Sequence, residues 1–263
     1  MKIALGIEYD GSGFHGWQTQ SGVRSVQACV EAALSQVAAS PITVLCAGRT
    51  DTGVHAYQQV IHFQAQVERS PRAWTLGANA NLPPDISVQW AQSVPEDFHA
   101  RYSATSRRYR YIVCNRTTRA ALWADKVTWE CQPLALAPMV DAAHALMGEH
   151  DFSSFRAAGC QAKHAVRTVL NLALTQVGDY FQFDIEANAF LQHMVRNIVG
   201  TLFEVGRGHR SPNWVEAVLK SRDRRQAGMT APAAGLYFLD ARYPKRFEIP
   251  EAPARSPFDG CLH

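Results

Sequence analysis

The chain has 263 residues and 29.1 kDa, is 47% apolar and 19% charged, and carries a net charge of +3 with pI near 8.6. That length allows one large domain or two of about 100 to 150 residues, and no apolar run approaches the roughly 20 residues of a membrane span. Six cysteines (Cys29, Cys46, Cys114, Cys131, Cys160, Cys261) show no C-x-x-C spacing, and Met1 to Glu8 lacks the apolar core of a signal peptide, so reduced thiols and a cytoplasmic location are expected.

Lys2 to Tyr9 reads as a first strand, followed by the glycine-rich stretch Asp10 to Gln18. Ser25 is a plausible N-cap for a helix whose Val30, Ala33, Leu34 and Val37 share one face. The apolar run Ile42 to Leu45 predicts a strand that delivers the loop Gly48-Arg49-Thr50-Asp51-Thr52-Gly53-Val54-His55-Ala56. Gly48 and Gly53 can take positive φ, which would let the loop aim Asp51 out of the sheet end. Gln58 to Gln66 follows as a half-buried strand, with Ile61, Phe63 and Ala65 inward and His62, Gln64 and Gln66 outward. Ser70-Pro71 opens a helix, Leu82-Pro83-Pro84 closes it, and Ile86 to Val94 is a strand.

A second series begins near Arg107. It runs through a strand Arg108 to Cys114, a helix Pro138 to Met147 and strands Thr168 to Gln176 and Tyr180 to Glu186. A helix Leu191 to Val205, a short helix Asn213 to Lys220 and a strand Gly235 to Tyr243 follow. The fold class expected is α+β, with two similar lobes of mixed or antiparallel sheet and flanking helices: residues 1–104, carrying the Asp51 loop, and residues 105–245. Residues 246–263, rich in proline and charge, are expected to form a loose tail.

Charge distribution says more than its sum. Phe98 to Ala124 contains no acid but holds Arg101, Arg107, Arg108, Arg110, Arg116 and Arg119, interleaved with Tyr102, Tyr109 and Tyr111. Phe152 to Gly178 is also acid-free and holds Arg156, Lys163, His164 and Arg167. Arginines neutralise phosphates and tyrosines stack on splayed bases, the combination that looped RNA demands. A single arginine of this kind also reads as a solvated strand-edge residue; the set favours RNA.

Asp51-Thr52-Gly53 is also the triplet of aspartic proteases, but those need two aspartates sharing a proton, and this chain has a single such triplet. Arg49 and His55 beside the carboxylate also oppose proton sharing. No histidine stands in an H-E-x-x-H or comparable metal-ligand spacing. The glycines at 11, 13 and 16 make a weak dinucleotide signal and read better as a packing or RNA-facing loop. An ionised aspartate beside an arginine, near tyrosine and basic surface, suits a nucleophile or electrostatic stabiliser acting on a flipped nucleotide, with no cofactor or metal required. The rival reading is a non-catalytic RNA-binding module that uses the same basic surfaces.

Over nearly its whole length the chain resembles the TruA family of tRNA pseudouridine synthases. The resemblance rests on Tyr9-Asp10-Gly11 through Gln20, the Gly48 to Ala56 block, Phe98 to Ala104 leading to Arg107, Tyr109 and Tyr111, and Gly148 to Arg156. It continues through Arg167-Thr168, Phe190 to Asn197 and Thr230 to Leu236. Asp240 and Ala241 depart from the apolar residues usual in the last strand. The resemblance implies the pseudouridine synthase fold with a cleft between the lobes, a homodimer, and isomerisation of uridine at positions 38 to 40 of the tRNA anticodon stem-loop. It also implies that Asp51 is the nucleophile, Tyr109 stacks on the target base, Arg196 pairs with Asp51, Arg49 fills the space the flipped base leaves, and Leu236 forms an apolar wall. Arg196 sits among Met194, Val195, Ile198 and Val199 on an otherwise apolar helix, where a cation needs a partner.

Overall fold

A computed structural model describes residues 1–252; residues 253–263, which include Cys261 and the end of the expected tail, lie outside them. The chain divides into two α+β units, Met1–Thr105 together with the chain from Tyr237 onward, and Ser106–Leu236.

In the first unit, β1 (Lys2–Tyr9) leads to α1 (Val26–Ala38), β2 (Leu45–Cys46), β3 (His55–Gln64), α2 (Pro71–Asn81) and β4 (Ile86–Val94). β1 pairs antiparallel with β3 on one side and β4 on the other, placing Leu5 opposite Ile61 and Ala91. α2 starts as its Ser-Pro signal requires: the Ser70 hydroxyl accepts from Ala73 N–H and Pro71 takes a first-turn position. Ser25 occupies the N-cap of α1 without a side-chain cap bond. α2 bears on the sheet, with Trp74 set edge-on against Phe63 of β3 at 5.1 Å, and α1 packs against α2.

β3 departs from the expected half-buried alternation, because His62, Gln58 and Gln59 are buried along with Val60, Ile61 and Phe63. The second face of the strand is covered by Phe98, whose ring meets His62 at 5.9 Å, and by the segment after Pro244. Phe247 of that segment is buried against Phe98, and Pro250 O accepts from Gln58 Nε2 at 2.6 Å. Residues 246–252, expected as part of a loose tail, are therefore packed chain in the first unit. Ile42 and Val44 are buried without strand pairing, so β2 shortens to two residues, paired to His62 and Ile61.

The second unit contains β5 (Ser106–Asn115), β6 (Thr128–Glu130), α3 (Leu136–Ala143), β7 (Gly148–Asp151), β8 (Val166–Val177), β9 (Tyr180–Ala187), α4 (Met194–Gly206) and α5 (Asn213–Ser221). β9 lies antiparallel between β5 and β8, β7 pairs with β8, and β6 runs parallel to β5. α4 begins at Met194 rather than Leu191, because His193 takes a left-handed conformation at its N-cap. Its Ile198, Val199, Leu202 and Phe203 are buried, Phe203 against Phe183 of β9.

The last strand, β10 (Leu236–Arg242), pairs parallel with β3, Tyr237 opposite His55 and Phe238 opposite Ala56. From Tyr237 the chain thus clusters with the first unit, although the sequence order places this strand in the second lobe. Asp240 is fully buried there, 4.0 Å from Arg242 Nε. Among the described residues, no helix is long and apolar enough to cross a membrane.

Candidate active site

Asp51 sits half-buried on the connection from β2 to β3. The turn closes through Val54 N–H donating to Asp51 O at 3.1 Å, and Gly53 supplies φ 77° at its tip. Gly48, expected at positive φ, is instead held by a buried side chain: Gln59 Nε2 donates to Gly48 O at 2.6 Å, and Gly48 N–H reaches Gln59 Oε1 at 3.4 Å. Thr50 is clamped on two sides. Its hydroxyl lies 2.7 Å from Tyr9 Oη, and its carbonyl accepts from Trp17 N–H at 3.0 Å. Burial pushes the Tyr9 phenol well above its ordinary range, so it remains a neutral hydrogen-bonding partner.

The glycine-rich stretch after β1 is the bed of this loop. Gly53 N–H donates to Phe14 O at 3.3 Å. Gly16 has φ +83°, and a Cβ there would stand 2.7 Å from Thr50 O and 3.1 Å from Asp51 C, closer than packed atoms allow. His55, immediately beyond the turn, is buried, with Nδ1 3.1 Å from Gly11 N, and its ring stacks on Tyr237 at 4.7 Å. The carboxylate is thus carried by a backbone fixed at both flanks and from beneath. Arg49, on the same loop, is exposed.

The remaining sequence-predicted residues belong to the second unit. Tyr109 on β5 is buried and sits edge-on to Phe190 at 4.9 Å. Arg196, half-buried in the first turn of α4, donates from Nε to Ala231 O at 2.8 Å, while its own carbonyl accepts from Ala231 N–H at 3.1 Å. The segment that leads to Leu236 is therefore tied to the helix. Thr230 Oγ1 donates to Asn197 Oδ1 at 2.6 Å, and Arg224 reaches both Asn197 Oδ1 and Thr230 Oγ1 at 3.0 Å. Leu236 is buried, its N–H donating to Ala233 O at 2.8 Å. Tyr111 Oη donates to Pro232 O at 2.7 Å; burial raises its phenol well above the usual range, and the bond to Thr128 and then the Arg196 charge draw it back in part.

The basic set of the sequence separates on inspection. Arg110 is buried in a two-point ion pair with Asp184, at 2.7 and 2.9 Å, and is a structural residue. Arg107 reaches Asn188 O at 3.0 Å, and Arg116 the carbonyls of Thr118 and Arg119 at 2.9 and 3.1 Å. Arg101 and Tyr102 are exposed.

The family model described as tRNA pseudouridine synthase matches residues 6–103 and 142–244. The chain belongs to the tRNA pseudouridine synthase family. Proteins named tRNA pseudouridine synthase A resemble this synthase over nearly full length. That of Hydrogenovibrio crunogenus is 56% identical over 248 residues, 94% of this chain and 95% of the relative. That of Nitrosococcus oceani is 54% identical over 250 residues, 95% and 96%. That of Dechloromonas aromatica is 52% identical over 262 residues, 100% of both.

Within this synthase, spacing alone did not single out Tyr9, Gln59, Asn197 or Arg224 as supports of the site segments. Tyr9 and Gln59 lie in apolar strand patterns, and the contacts that give them meaning span 41 and 11 residues. Arg224 carried a weak signal, a cation just before the Thr230 to Leu236 block.

Proposed function

We propose that this enzyme, which isomerises uridine to pseudouridine in tRNA, acts at positions 38 to 40 of the anticodon stem-loop with Asp51 as its nucleophile. The observation that carries the activity is kinship at 52 to 56% identity over nearly the full chain. The N-glycosidic bond from C1′ to N1 breaks, the uracil turns, and C5 bonds to C1′; N1 gains a proton and C5 loses one, so the reaction needs no external oxidant or reductant.

The Asp51 assignment is supported by the way its loop is held. A nucleophile is effective when its position relative to the reacting atom is fixed before substrate arrives. Arg49 fills the stack vacated by the flipped base, Tyr109 stacks on the target uracil and relays the C5 proton, Arg196 keeps the carboxylate ionised, and Leu236 supplies an apolar wall. The enzyme acts as a homodimer in the cytoplasm. Incubating an unmodified tRNA transcript with the enzyme and mapping pseudouridine by chemical labelling and primer extension tests the assignment: stops at positions 38 to 40 are expected. Binding without any stop would leave the non-catalytic module as the reading.

A further inference from the structure

We infer that Tyr102, seated on His99 beside Arg101, is a stacking platform for an unstacked base of the tRNA, flanking the catalytic loop. The inference rests on the tRNA reading above and adds a substrate-binding subsite to it. Tyr102 is 76% exposed, and solvent exposure of a single tyrosine would ordinarily mean nothing. Here the turn that presents the ring is built to hold it still. His99 Nδ1 accepts from the N–H groups of both Arg101 and Tyr102, at 3.1 and 3.2 Å. His99 N–H donates to Ser103 Oγ at 3.0 Å, and Ser103 N–H returns to His99 O at 2.9 Å.

The ring itself continues a column of aromatic groups that starts in the core. Phe98 meets His62 at 5.9 Å, His62 meets His99 at 4.6 Å, and His99 meets Tyr102 at 4.3 Å with 36° between the planes. His62 is fixed in turn by Ala100 N–H donating to its Nδ1 at 3.2 Å, and Ala100 O accepts from Tyr243 Oη at 2.6 Å. The entropic cost of ordering an exposed aromatic side chain is thus met within the free chain, the condition under which stacking on it gains most affinity. The Arg101 guanidinium lies 5.6 Å from the Tyr102 centroid, placing a cation where a base's phosphate or π-face would arrive.

Its location is equally specific. Leu45 of β2 is paired to His62, and β2 leads straight into the Asp51 loop. His62 in turn lies 4.6 Å from the His99 ring, so the turn that carries Tyr102 packs beside the strand pair that feeds the loop. No acid occurs from Phe98 to Ala124.

The test compares Tyr102→Ala, Tyr102→Leu and Tyr102→Phe, each in an Asp51→Asn background, for affinity toward unmodified tRNA transcript at fixed salt. Anticodon-arm RNAs with 2-aminopurine at successive loop positions give a second readout. Loss of stacking is expected to raise Kd about tenfold in the Ala and Leu variants and to leave Phe within about twofold, all at unchanged Tm. Quenching of 2-aminopurine at one loop position should disappear in the first two variants only. Wild-type affinity and quenching in Tyr102→Ala, while the parent enzyme forms pseudouridine, would overturn the platform and leave the activity standing. A parent enzyme that neither modifies nor binds the transcript would overturn both.

Discussion

The Tyr9 hydroxyl at the end of β1 lies 2.7 Å from the Thr50 hydroxyl, one residue before Asp51. Both residues are buried, so neither group has water as a substitute partner. The bond therefore acts on the position of the carboxylate as well as on stability. Tyr9→Phe is expected to cost about 1 kcal/mol in unfolding free energy and to lower kcat several-fold, with KM for tRNA nearly unchanged. Urea melts and steady-state kinetics check it.

A methyl group at Gly16 probes the same loop from beneath. Ala must adopt φ near +83° with its Cβ 2.7 Å from Thr50 O, so the loop has to move. Gly16→Ala is expected to fold and yet lose about a hundredfold in kcat/KM, since displacement of a reacting group by about 1 Å costs that much. Retained activity would show that the loop's seat is not what positions Asp51.

Acid should weaken the first unit through His62. Burial, with His99 and Lys2 close by, lowers this imidazole to about 4 in the folded chain. The unfolded chain, with a value near 6.5, takes up more protons in the interval between, so the contribution is complete above about pH 6.5 and declines as pH falls toward 4. Between pH 7 and pH 5 the loss is roughly 2 kcal/mol. His62→Gln is expected to be less stable than the parent at pH 7 but to show a flatter decline; parallel curves would contradict the assignment.

Arg110 and Arg101 should behave oppositely although both lie in the same arginine-rich window. Arg110→Met breaks the pair with Asp184 and is expected to destabilise by about 1 to 3 kcal/mol, leaving the salt dependence of tRNA binding unchanged. Arg101→Met is expected to reduce the slope of log K against log salt by about 1.

What the sequence made legible follows from how local each signal is. The Ser70-Pro71 start, the run Ile86 to Val94 and the neighbouring strands Thr168 to Gln176 and Tyr180 to Glu186 carry their meaning within a few residues, and they stand where expected to within a residue or two. β7, Gly-Glu-His-Asp, has no apolar alternation to read, and it exists because β8 offers an edge to pair with. β10 shows a strand pattern, but its parallel pairing with β3 is a long-range choice that no spacing encodes. The alternation in β3 pointed His62 outward, whereas Phe98 covers it and chain nearly 200 residues away covers Gln58 on the same strand. At the site, the glycines announced a loop around Asp51, while the residues that hold it still are distant in sequence and of unremarkable type.

The most direct measurement is a single-turnover comparison of Asp51→Asn with the parent enzyme on unmodified tRNA, scoring pseudouridine at positions 38 to 40 and tRNA affinity in parallel. The account predicts no detectable pseudouridine from the variant over hours, with Kd within about tenfold of the parent. Pseudouridine formation by Asp51→Asn at the parent's rate would contradict it.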